Sequence, residues 1–122
     1  MSVSMEAPFF LLGLSLLFVH ELDAVRCHEW RIFPGLSALS DEWGLRLFVL
    51  LHIPLLYGLL EAVAAGPGPK LVAVLDLFYI LHLGLHLLFL RHPRNEFRDR
   101  LSWTLIVGAA ICGGIDLLLR AA

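Results

Sequence analysis

Four long apolar segments, divided by short polar breaks, constrain this 122-residue chain more than any other feature. They run over about 8–25, 41–65, 70–90 and 101–119. An α-helix rises about 1.5 Å per residue, so roughly 20 apolar residues cross the hydrocarbon core of a bilayer. Each segment is near that length. The first is marginal, because His20 follows Pro8 so closely, and it spans only if other helices shield its polar end. Hydrophobic residues make up 59% of the chain and charged residues 16%. A soluble domain carries about 45–50% and about 25%, so lipid is the expected solvent. The length allows one domain, 1–122.

The breaks have local causes. Ser40 can cap the free N–H groups of the second helix, and Asp41 and Glu42 sit at the positive end of its dipole. Gly66-Pro67-Gly68-Pro69 ends that helix. Arg91-His92-Pro93 ends the third. Short connections favour antiparallel neighbours, so the expected fold is all-α: an up-down-up-down bundle of four transmembrane helices. The longer connection, 26–39, holds Trp30, Ile32, Phe33, Pro34 and Leu36, a mixture suited to the headgroup layer. The first residues lack Lys and Arg, and no small-residue cleavage site follows the first apolar run. That run is read as a retained helix and not as a signal peptide.

Charge gives an orientation. Arg26, Arg31, Arg46, Arg91, Arg94, Arg98 and Arg100 flank one side, and Lys70 and Arg120 the other. Cytoplasmic loops carry the Lys/Arg excess, so both termini are expected outside. Trp30, Trp43 and Trp103 fall on the Arg-rich side, as an aromatic belt does. The net charge of -2 and the lack of a basic run with interleaved aromatics argue against nucleic acid. Cys27 and Cys112 form no CxxC pair, and their different depths argue against a disulfide.

Titratable residues inside apolar segments are costly, and they persist where they face a bundle interior and meet partners. Counted from the non-cytoplasmic face, His20 lies at ~18 Å, Glu21 at ~20 Å and Asp23 at ~23 Å. His52 and His82 lie at ~16 Å and His86 at ~22 Å. Four histidines and two carboxylates from three helices therefore share one layer. His82 and His86 occupy one stripe of the third helix. His20, Asp23 and Cys27 share a stripe of the first. Pro54 opens the backbone near His52.

Imidazole with carboxylate is a ligand set for zinc, iron and copper. His52, His82 and His86 are the expected metal ligands, with His20 as fourth ligand or hydrogen-bond partner. Asp23 or Glu21 is the expected base. Zinc is the first expectation and iron the second. The competing reading is a hydrogen-bonded histidine core. Neither HExxH nor a di-iron ExxH pattern occurs.

The other polar residues read more plainly. Glu61 snorkels outward. Asp76 and Asp116 either reach the surface or form a second polar layer with Tyr57. His28 and Glu29 read as solvated interface residues, and His92 as a loop residue. Arg94, Arg98 and Arg100 set topology or capture a lipid phosphate. The small residues Gly108, Ala109, Ala110, Cys112, Gly113 and Gly114 suit close helix packing within the chain. They also suit a homo-oligomer seam through helix 101–119, or space for an apolar substrate.

The block Phe18-Val19-His20-Glu21-Leu22-Asp23-Ala24, with His28-Glu29-Trp30-Arg31, resembles a family of small bacterial four-helix membrane proteins of unknown function. Leu51-His52-Ile53-Pro54 and the His82/His86 pair extend the likeness over most of the chain. The resemblance implies a bacterial membrane protein with four helices, and it implies no activity. The expected location is the plasma (inner) membrane. A looser similarity, in site composition only, is to intramembrane zinc amidohydrolases. The expected function is an intramembrane metal-binding protein, a small hydrolase-like enzyme on a lipid or other apolar substrate. The alternatives are a metal-free acid–base isomerase of lipids or terpenoids, and a non-enzymatic binding or assembly subunit.

Overall fold

Each apolar segment forms one α-helix in the computed structural model, which describes residues 8–122. These are α1 (Pro8–Arg26), α2 (Asp41–Ala64), α3 (Pro69–Leu88) and α4 (Arg100–Ala121). All four are long and apolar enough to cross a membrane. No strand occurs among the described residues. Residues 1–7, part of the start read for a signal peptide, lie outside the described residues.

The helix ends follow their sequence signals. Ser40 Oγ accepts from the Trp43 N–H at 3.3 Å, as a cap for α2. Gly68 precedes α3, and Pro69 is its first residue, where a missing N–H costs nothing. Asp99 caps α4 by accepting from the Ser102 N–H at 2.9 Å. That N–H, then the Ser102 side chain and Arg26, hold the Asp99 carboxyl below its ordinary value.

The core is built by α1, α3 and α4. Phe10, Leu14 and Leu17 of α1 pack with Val72 and Tyr79 of α3 and Ala109 of α4. A second cluster joins Ala24 of α1 and Ile106 of α4 to Trp30, Ile32 and Phe97 from the connections. Along α1, Gly13 faces Cys112, Leu16 faces Gly108 and Asp23 meets Ser102, so contacts climb one helix as they descend the other. The small face of α4 is spent inside the chain. A Cβ on Gly113 would stand 2.6 Å from the Asp76 carbonyl oxygen, and one on Gly13 2.8 Å from the Tyr79 ring. Gly114 instead faces open space.

Helix α2 stands apart. Only about 6% of its apolar window is buried, against 39% for α1 and 44% for α4. Gly44 and Phe48 are its buried residues. It is held at its start by the connection from α1, which folds inward as two short 3-10 turns, Glu29–Arg31 and Leu36–Ala38. Trp30 anchors that connection. It is 3% exposed, lies against Gly44, and its Nε1 donates to Asp41 at 2.9 Å. The connection is therefore partly core, where a purely interfacial segment was expected.

The packing predicts a contrast between neighbouring glycines. Gly113→Leu drives a side chain into the α3 backbone and should lower unfolding free energy by about 1–3 kcal/mol. Gly114→Leu should stay within about 0.5 kcal/mol of the parent. Unfolding midpoints of the detergent-solubilised proteins check this, and equal losses would contradict the packing.

Candidate metal centre

Three of the four layered histidines converge. His20 comes from α1, and His82 and His86 from one stripe of α3. The His20 ring lies 4.5 Å from that of His82 and 5.0 Å from that of His86, centroid to centroid, edge to face. All three are buried, with His20 1% exposed. Phe97, itself 1% exposed, closes the group from the α3–α4 connection at 5.5 Å from His20 and 4.6 Å from His86.

The fourth member is Glu29. His28 adopts a left-handed conformation, φ 53° and ψ 50°. That is an unusual state for a residue with a Cβ, costing of order 1–3 kcal/mol. The His28 ring holds it there by facing outward to Glu96, with Nδ1 2.9 Å from Oε2. The turn sends Glu29 the other way, inward to Oε1 3.5 Å from His86 Nε2.

One ligand atom from each of His20, Glu29, His82 and His86 lies within 4.8 Å of the others. His82 Nε2 and His86 Nε2 are 3.2 Å apart. Two nitrogens on a tetrahedral zinc, each at roughly 2.0–2.1 Å, stand about 3.3–3.4 Å apart. Both short edges, 3.2 and 3.5 Å, bracket that spacing. The donor set, three imidazoles and one carboxylate, is one that zinc accepts. Both ring nitrogens of His20 and Nδ1 of His82 are buried without a hydrogen-bond partner. A cation would satisfy one nitrogen of His20 where the protein offers nothing.

His52 is not in this group, although it shares the layer. Its Nδ1 lies 2.6 Å from the Phe48 carbonyl, and its Nε2 lies 2.5 Å from Glu21 Oε2. A carbonyl only accepts, so Nδ1 carries a hydrogen. The other nitrogen, Nε2, faces Glu21 and not the histidine group. His52 and Glu21 form a dyad on the same cleft as His82, His86 and Glu29.

Asp23, expected as a base, is engaged elsewhere. Its Oδ2 accepts from Ser102 Oγ at 2.5 Å and its Oδ1 from Arg26 Nε at 2.6 Å. Arg26 continues to Asp99 at 2.9 Å. This network ties the end of α1 to the start of α4. Cys27 beside it is buried, and burial pushes its thiol above the ordinary value. Cys27 and Cys112 are both free.

Arg94, Arg98 and Arg100 are exposed. Arg94 Nη1 reaches the Ser37 carbonyl at 3.4 Å, and Arg98 Nε the Asn95 carbonyl at 3.0 Å. His92, the loop residue, accepts from the Arg94 N–H at 3.1 Å. A second polar layer does form, without Tyr57. Asp76 and Asp116 are 0% and 1% exposed, and Arg120 Nε donates to Asp116 at 2.6 Å. Tyr79 accompanies them in the core, while Tyr57 is exposed and donates to Glu61 at 3.0 Å.

Glu29 is the member that sequence reasoning missed. The spacing of His28 and Glu29 just past a helix end carried no signal of which would turn inward. The burial of Trp30, its neighbour, is the clue that the connection folds back.

No curated protein and no solved structure matches the chain. A family described as a family of unknown function, DUF6713, matches residues 7–122. That match spans nearly the whole chain, which therefore belongs to this family.

Proposed function

We propose that this protein binds a divalent transition metal within the membrane and acts as a small hydrolase-like enzyme on a lipid or other apolar substrate. His20, His82, His86 and Glu29 hold the ion. Zinc suits the donors best, with iron second. The observation that carries this is the convergence of four ligand atoms within 4.8 Å around His20, whose nitrogens have no other partner. Lipid supplies no water to satisfy buried imidazoles, so an unfilled cluster there is costly.

A bound ion of this kind polarises a carbonyl and acidifies water. The Glu21–His52 dyad, on the same cleft, accepts the proton as the water oxygen bonds to the carbonyl carbon. It returns that proton to the leaving group as the scissile bond breaks. Asp23 is assigned to structure because both its oxygens are engaged. The dyad also favours a second reading, metal-free proton transfer such as a double-bond shift, in which the same pair moves the proton.

Protein purified through a tag that binds no metal should carry about one ion per chain, as expected for a four-ligand site. His82→Ala and His86→Ala should each reduce this at least about tenfold, the factor that links affinity to roughly 1.4 kcal/mol. His52→Ala and Asp23→Asn should leave it unchanged. Element analysis reads all four, and content that ignores His82 and His86 ends the metal reading.

The location follows the charge pattern. We place the chain in the plasma (inner) membrane of a bacterium, the arginine-rich connections facing the cytoplasm and both termini outside. Exposed Arg94, Arg98 and Arg100 then lie at the level of lipid phosphates. A C-terminal alkaline phosphatase fusion should be active and a C-terminal green fluorescent fusion dark. The reverse pair of results would invert the topology.

A further inference from the structure

The separation of α2 from the core leaves a cleft of about 630 Å³ between α2 and α3. Ligand sites occupy roughly 300–1,000 Å³. Leu51 and Leu55 of α2 line it on one side, and Phe78 and Leu85 of α3 on the other. These four are 41–60% exposed, so within a bilayer the cleft opens sideways to lipid. Its polar atoms belong to one patch: the Glu21–His52 dyad and the Glu29, His82 and His86 side of the metal centre.

The lining has an order along the membrane normal. Phe78 lies one helical turn before His82 on α3, and Leu55 nearly one turn after His52 on α2, so both sit toward the bilayer centre. Phe33, Pro34 and Leu36 line the opposite mouth, in the connection beside the arginine-rich surface. Arg94 touches that connection at the Ser37 carbonyl. The sequence of environments is therefore apolar, then imidazole and carboxylate, then apolar, then cationic.

We propose that the cleft binds a monoacyl amphiphile drawn laterally from the bilayer. Its single chain lies between Leu55 and Phe78, its carbonyl linkage meets the His82/His86/Glu29 patch, and its anionic head passes Phe33 and Pro34 to reach Arg94. The volume accommodates one extended chain and falls well short of the two chains of a bilayer phospholipid. A free polar solute is disfavoured because nearly all the wall is apolar and the opening faces lipid. This assignment names the substrate class of the metal centre proposed above and rests on it for the carbonyl contact.

The probe is a lysophospholipid with a diazirine midway along its acyl chain, photolysed with the full-length protein in nanodiscs. Crosslinks should concentrate on 51–55 and 78–85, over the more exposed Leu118 of α4, which is 73% exposed. Leu51→Trp with Leu85→Trp fills the cleft from two exposed positions. The pair should cut cleft labelling about tenfold, a loss of roughly 1.4 kcal/mol in affinity. Metal content and labelling of Leu118 should not change. Labelling spread evenly over the outward faces of α2 and α4, and indifferent to the tryptophans, overturns the cleft while leaving metal binding intact. Labelling confined to the cleft in a chain that carries no ion supports the cleft and removes the metal.

Discussion

Lipid offers no hydrogen bonds, so every polar side chain that enters these four helices must be answered from within the chain. Most are. Asp23 takes Ser102 and Arg26, Glu21 takes His52, and Asp116 takes Arg120. Each of these pairs puts an acceptor against a donor. Three imidazoles crowd together with no such answer at His20. His82 and His86 pair with each other, but neither nitrogen of His20 meets a complementary group. A cation reverses that shortage, because it uses lone pairs that no donor among the described residues meets.

The rest of the structure serves to bring those rings to one height. His20 and the α3 histidines belong to helices whose axes must approach closely, and Gly13 and Gly113 allow it. Any side chain at either position would strike Tyr79 or the Asp76 carbonyl. Burial in lipid cannot drive this approach, since chain and solvent are equally apolar; close van der Waals packing of small residues must supply it. The Asp23–Arg26–Asp99 network then pins α1 to α4 at the end nearest the centre. Phe97 covers the histidines only because Asn95 folds the preceding turn, donating to the Leu90 carbonyl and accepting from the Phe97 N–H.

What could be read in the sequence was height; what could not was facing. Segment lengths placed four helices to within two residues at each end, because apolar runs and their Pro, Gly and Ser breaks are local properties. Depth counting put His20, His82 and His86 together, and the i, i+4 spacing fixed the α3 pair. The same counting included His52, whose ring bonds back to the Phe48 carbonyl and outward to Glu21. Asp23 shares a stripe with Cys27, but that stripe meets Ser102 of α4, and no depth argument distinguishes α4 from α3 as its neighbour. Glu29 was hidden by one backbone dihedral pair. A left-handed residue other than glycine has no strong sequence signal, and the inward turn at His28 depends on a distant partner, Glu96.

The position of the dyad bears on which chemistry the cleft can perform. The His52 Nδ1 hydrogen is committed to the Phe48 carbonyl, so the mobile proton can lie only on the Nε2 side, against Glu21. That proton sits on the wall shared with His82, His86 and Glu29, and the apolar remainder of the cleft keeps it from bulk water. The ion's proposed ligands and the proton's carriers are thus different residues on one surface. A histidine that served as ligand would lose the lone pair that a base needs. Giving the two roles to separate residues, Glu21 and His52 for the proton and His20, His82, His86 and Glu29 for the proposed ion, would let a Lewis acid and a base meet the same substrate carbonyl without competing for the same nitrogen. His52 brings its half of the dyad on α2, the helix least buried within the chain, while Glu21 brings the other half on α1, directly beside the proposed ligand His20.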